Sequence, residues 1–134
     1  LDAPMTYESV EQLGSTLGSA SFILMDKDTD MVWAGAKMIH FFRHESCGKC
    51  TPCREGCYWL DKVYDRLMAG EGVERDLRTL ERVPLQMKDG ATLCALGEFA
   101  ANPVISTVQH FREEYERAIG LETPVAQNVV DSGE

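Results

Sequence analysis

Apolar residues recur at helical spacing along most of the chain. Asp28, Thr29 or Asp30 can cap a helix whose stripe runs Met31, Ala34, Met38, Phe41 and Phe42 and which ends near His44. A second helix is expected from about Cys53, with Cys57, Leu60, Val63, Tyr64 and Leu67 on one face and Gly70 as its C′ stop. A third runs from about Glu74 to Lys88 with Leu77, Leu80, Val83 and Met87 aligned; Pro84 should kink or shorten it, and Gly90 ends it. The fourth carries the clearest punctuation: Asn102 as N-cap, Pro103 at N1 and Gly120 past the end. Its stripe is Val104, Val108, Phe111, Tyr115 and Ala118, and Arg112, Glu113, Glu114, Glu116 and Arg117 form a solvated face.

The ends of the chain read differently. Tyr7 to Leu13 is a short helix candidate, with Val10 and Leu13 on one face, broken by Gly14 and Gly18. Ser21-Phe22-Ile23-Leu24-Met25 reads as a strand. One short helix and one strand cannot close a core, so residues 1–26 are expected to complete a small α+β domain whose other strands lie upstream. Residues 27–120 are expected to form a mainly α unit, a four-helix-type bundle. From Leu121 to Glu134 the periodicity is lost, and a mobile tail or partner-contact strand is expected over 121–134.

Length and charge narrow the function. At 134 residues the chain suits one domain, or one domain and part of a neighbour. Its 13 Lys+Arg against 22 Asp+Glu give a formal net charge of -9, which argues against non-specific binding to nucleic acid. No apolar run approaches the ~20 residues of a bilayer-spanning helix, and no secretory signal pattern opens the chain. The start at Leu1, in mid-pattern, suggests a piece of a longer polypeptide.

Five cysteines is an odd number, and three fall within seven residues. That pattern suits a metal group in a reducing compartment better than a disulfide framework. Cys47-Gly-Lys-Cys50-Thr-Pro-Cys53 places three thiolates on one loop, as three corners of a cubane iron–sulfur cluster require, each iron taking one cysteine. The fourth ligand can come from Cys57 or Cys94. In the C-x2-C-x2-C-x3-C run of bacterial ferredoxins the fourth cysteine serves a second cluster, for which this chain lacks the residues. Cys57 would also sit one turn into a helix on its core-facing stripe, whereas Cys94 lies in a loop. The ligands are therefore assigned as Cys47, Cys50, Cys53 and Cys94, with Cys57 a buried small hydrophobe.

Neighbouring residues agree with this assignment. Gly48 leaves room for the loop to wrap a cluster and can aim its N–H at sulfur; Pro52 fixes φ before a helix whose positive end faces an anionic group. Lys49 and Arg54 supply compensating charge. The same four cysteines could instead hold a structural zinc, which keeps a zinc-stapled interaction domain open as a rival. A thioredoxin-like redox pair leaves the third cysteine and Cys94 unexplained. His44 suits a helix C-terminal cation, His40 and His110 the surface, and Trp33 and Trp59 a core or an interface. No phosphate-binding glycine loop, nucleophile elbow or distinctive acid–base pair is present, so no catalytic residue is assigned.

The run His44-Glu-Ser-Cys-Gly-Lys-Cys-Thr-Pro-Cys-Arg-Glu-Gly56, followed by Cys94-Ala-Leu-Gly97, resembles the NADH-binding flavoprotein subunit of respiratory complex I, the NADH–quinone oxidoreductase. The same module recurs in NAD-reducing hydrogenases and NAD-dependent formate dehydrogenases. Leu1-Asp-Ala-Pro-Met5 and Gly14-Ser-Thr-Leu-Gly-Ser19 are similar to the end of that subunit's ubiquitin-like β-grasp domain, and the remainder, to about Gly120, to its C-terminal helical bundle. The resemblance implies one 4Fe–4S cluster at the positions matching Cys47, Cys50, Cys53 and Cys94; the position matching Cys57 is commonly another residue. It implies further that FMN and NADH bind an upstream domain not included in this sequence, and that electrons pass from FMN through the cluster toward quinone. The implied partners are the other peripheral-arm subunits. The implied location is peripheral, on the cytoplasmic side of a bacterial inner membrane or in the mitochondrial matrix.

Overall fold

A computed structural model describes residues 3–18, 20 and 22–121. Among these there are six α-helices and no strand: α1 (Tyr7–Gln12), α2 (Met31–Glu45), α3 (Thr51–Met68), α4 (Glu74–Arg82), α5 (Leu96–His110) and α6 (Arg112–Ala118), with a 3₁₀ turn at Pro84–Met87 between α4 and α5. The chain is mainly α. The tail expected over 121–134 lies, apart from Leu121, outside the described residues.

Local chemistry sets the boundaries. Asp30 caps α2, its carboxylate accepting from the N–H groups of Val32 and Trp33 at 2.8 and 3.0 Å. Glu114 reaches from α6 to the third exposed donor of that helix end, accepting from Met31 N at 2.8 Å. Asp76, in the first turn of α4, accepts from Val73 N at 2.9 Å, and Arg66 of α3 holds the same carboxylate at 3.1 Å. Pro84 ends the regular helix, as its missing N–H and ring demand, and the chain tightens into the 3₁₀ turn.

The core lies where α2, α3, α5 and the 3₁₀ turn meet, with α4 and α6 closing its sides. Leu60, Tyr64, Leu80, Met87, Val104 and Tyr115 are almost wholly buried there. The closest approach is at Gly35 of α2, where a Cβ would lie 2.6 Å from the Tyr64 hydroxyl and 2.9 Å from that of Tyr115. The two hydroxyls are hydrogen-bonded at 2.8 Å, and Tyr115 is also 2.8 Å from Thr107 Oγ1. Four helices are thus joined at one small contact.

Three expectations need correction. The buried face of α2 is Val32, Ala34, Gly35 and Ile39; Phe41 is exposed and Met31 and Met38 are only partly covered, because the helix turns its glycine toward the tyrosine pair. The fourth helix begins at Leu96, not at Asn102, and Pro103 lies inside it. It breaks at Phe111, whose φ of -125° and ψ of 35° restart the chain as α6. Finally, Phe22–Met25 does not form a strand: no partner strand exists among the described residues to take its N–H and C=O groups. Phe22, Ile23 and Leu24 are exposed, and α1 buries no residue.

Candidate iron–sulfur centre

The cysteine loop links the end of α2 to the start of α3. Ser46 turns the chain out of α2, its N–H still bonded to Phe42 O at 3.0 Å. Gly48 then takes a φ of 75°, the left-handed region that favours glycine. Lack of space is not the reason for glycine there, since a Cβ would meet only Arg54 Cδ, at 3.8 Å. Arg54 Nη1 donates to the Gly48 carbonyl at 2.8 Å, so this arginine clamps the loop as well as supplying charge. The Gly48 N–H, expected to face sulfur, instead donates to Ser46 Oγ at 3.4 Å, and that hydroxyl lies 3.3 Å from Cys53 Sγ.

The second loop arrives from far downstream. Asp89, with a φ of 55°, and Gly90, at 77°, reverse the chain after the 3₁₀ turn. Thr92 Oγ1 donates to the Cys94 carbonyl at 2.8 Å, tightening the turn that leads into α5. The Leu93 N–H donates to Cys50 Sγ at 3.3 Å. The stretch carrying Cys94 therefore rests against the stretch carrying Cys47, Cys50 and Cys53. Cys47 and Cys94 are exposed, Cys50 is half-buried and Cys53 is buried.

Cys57 is fully buried on the core face of α3, one turn beyond Cys53. Burial first, and then neighbouring Cys53 and Asp61, pushes its thiol up to about 12. Of the histidines, His44 is exposed with Nδ1 2.9 Å from Glu45 Oε1. His40 Nδ1 is 3.3 Å from the buried carboxylate of Asp61, which also pairs with Arg43; His110 is exposed. Arg43 in turn lies 5.0 Å from the centroid of the Tyr58 ring. Trp33 and Trp59 are both exposed, so neither is core.

The donor set suits an iron–sulfur cube, which takes thiolate ligands one to an iron, and the Leu93–Cys50 contact puts the Cys94 stretch beside the three-cysteine loop. Helices α3 and α5 both start beside the cysteines, at Cys50 and Ala95, with no side-chain cap on their first N–H groups. Two uncapped helix N-termini give the region positive potential suited to an anionic group. The Leu93 N–H adds a backbone donor to sulfur. Cysteine spacing points to a metal group, but nothing in the sequence points to Ser46 or Leu93, whose contacts exist only once the two loops have folded together.

Comparison with known proteins agrees. The model of the NADH-ubiquinone oxidoreductase-F iron-sulfur binding region matches residues 34–118. The F subunit of the NADH-quinone oxidoreductase of Mycobacterium tuberculosis is 48% identical over 118 residues, covering 86% of this chain and 26% of that protein. The mitochondrial NADH-ubiquinone oxidoreductase 51 kDa subunit of Neurospora crassa is 44% identical over 115 residues, covering 86% and 23%. Among solved structures, an air-oxidized NAD+-reducing [NiFe]-hydrogenase aligns with a TM-score of 0.66 and 35% identity over 71% of this chain and 17% of that one. The chain thus spans about a quarter of the length of the relatives it matches.

Proposed function

As the chain belongs to the family of NADH-ubiquinone oxidoreductase-F iron–sulfur binding regions, we propose that it holds one 4Fe–4S cluster through Cys47, Cys50, Cys53 and Cys94 and relays electrons as part of an NADH–quinone oxidoreductase. The observation that carries the ligand set is the hydrogen bond from Leu93 N to Cys50 Sγ, which brings the Cys94 loop to the three-cysteine loop. When bound, the cluster supplies a one-electron redox centre. The chain's own residues hold and shape it. Gly48 and Arg54 fix the loop, the starts of α3 and α5 offset negative charge, and the core beneath Cys53 keeps water from one side. The exposure of Cys47 and Cys94 puts the site at the surface of this chain, where an electron can arrive or leave.

The relatives support a wider reading. NADH oxidation at FMN belongs to sequence outside this chain, with the electrons continuing toward quinone through other peripheral-arm subunits. Residues 27–120 form the cluster-bearing helical bundle, and 1–26 the end of a β-grasp domain; the exposed Phe22, Ile23 and Leu24, lacking a partner strand, support that reading. No helix among the described residues is long and apolar enough to cross a membrane; the location proposed with this family is peripheral, on the cytoplasmic or matrix side. The similarity to an NAD+-reducing hydrogenase favours, as a second reading, the equivalent subunit of such an enzyme.

Electron paramagnetic resonance of the anaerobic chain tests the relay. A spin signal that appears on one-electron reduction and vanishes on reoxidation supports it. Iron-containing protein with no reducible signal contradicts it.

A further inference from the structure

We infer that Ser46 is a positioning residue that raises the reduction potential of the centre by donating its hydroxyl proton to Cys53 Sγ. The inference rests on the proposed ligation by Cys53. Ser46 Oγ has two neighbours of interest, Gly48 N at 3.4 Å and Cys53 Sγ at 3.3 Å. A serine hydroxyl has one proton to give and two lone pairs to accept with. The Gly48 N–H occupies a lone pair. A cysteine sulfur bound to iron carries no proton and can only accept, so the hydroxyl proton goes to sulfur.

The backbone holds the hydroxyl in place. Ser46 is the residue that ends α2, anchored by its N–H on Phe42, and Cys53 lies in the first turn of α3. Cys53 is only 7% exposed, so water has little access to compete for its sulfur. Reduction adds a negative charge to the group this sulfur would ligate. A donor aimed at the sulfur stabilises the reduced form more than the oxidised one, and hydrogen bonds to ligand sulfurs are among the levers that set cluster potentials. The Leu93 N–H acts in the same sense on Cys50, but as a backbone group it cannot be deleted by changing a side chain. Ser46 can be.

The test is a redox titration, followed by electron paramagnetic resonance, of the full chain loaded anaerobically with iron and sulfide. Iron and sulfide content of the unsubstituted chain is measured first, and their absence would overturn the cluster reading itself, independently of Ser46. With the cluster in place, Ser46→Ala shifts the midpoint to a more negative value and Ser46→Thr, which keeps the hydroxyl, restores it toward the original. The pair Ser46→Thr and Ser46→Val, matched in shape, decides the matter even where the alanine variant assembles poorly. A more negative midpoint for valine than for threonine supports the hydroxyl's role; equal midpoints overturn it.

Discussion

Leu93 and Cys50, 43 positions apart in sequence, are joined by a hydrogen bond from the Leu93 N–H to the Cys50 sulfur at 3.3 Å. That contact turns two separate loops into one site. It also supports Cys94 over Cys57 as the proposed fourth ligand. Cys94 follows Leu93 and is exposed at the site, whereas Cys57 is sealed in the core.

The first prediction concerns these two cysteines. Cys94→Ser loses most of the bound iron and sulfide, while Cys57→Ser keeps a near-normal amount, as measured by metal and sulfide analysis after anaerobic assembly. Equal losses in the two variants would mean that the ligand set is misassigned.

Gly35 offers a stability test away from the cysteines. An alanine there places its methyl against two buried hydroxyls that are already bonded to each other. Gly35→Ala should cost about 1–3 kcal/mol and lower Tm on the order of 5–10 °C, read by thermal unfolding. Gly56→Ala should be destabilising as well, since its new methyl would press on the Sδ and Cγ of Met87, which is itself buried in the core.

The tyrosine pair predicts a pH dependence. Burial first, then the neighbouring Tyr115, holds the Tyr64 phenol well above its ordinary range. Tyr115 is also raised, again chiefly by burial, although its bonds to Thr107 and Tyr64 oppose the shift. A folded-state value above the unfolded one means that the folded chain holds protons the unfolded chain releases. The contribution to stability is therefore complete below about pH 10 and is lost as pH rises toward the folded values. Phenolate absorbance from Tyr64 and Tyr115 should appear only together with loss of helical circular dichroism. In the doubly substituted Tyr64→Phe, Tyr115→Phe chain that late step should be missing.

Lys49 lies exposed in the cysteine loop. Replacing it by glutamate puts a negative charge beside an anionic group and disfavours adding an electron. Lys49→Glu should therefore move the midpoint potential to a more negative value, by an amount that shrinks as salt is added. A potentiometric titration at low and high ionic strength checks both parts.

Much of this architecture was legible from local sequence. Asp30 could be named among three capping residues for α2, the full stripe of α3 from Cys57 to Leu67 is buried, and Pro84 interrupts the third helical segment as its chemistry requires. What escaped depended on tertiary partners. The rotation of α2 is set by Gly35 meeting Tyr64 and Tyr115, which no reading of its own apolar residues can supply. Pro103 looked like a helix start because local rules put proline at N1. Buried Gly97, Ala100 and Ala101 extend that helix upstream by packing small residues into the core. Phe22 to Met25 has strand propensity, but propensity without a partner makes no ladder.

The site divides in the same way. Cys47, Cys50 and Cys53 stand out because metal chemistry demands that residue type at close spacing, while Cys94, far downstream, is a proposed fourth member; the burial of Cys57 followed from its place on a helical stripe. Ser46 and the Leu93 N–H were not readable, since a serine and a backbone amide carry no signature until a sulfur is folded against them.

The most direct test of the central claim is the iron and acid-labile sulfide content of the anaerobically prepared chain. A chain holding one cube carries about four of each and no stoichiometric zinc. Zinc in place of iron, or iron without sulfide, would contradict it.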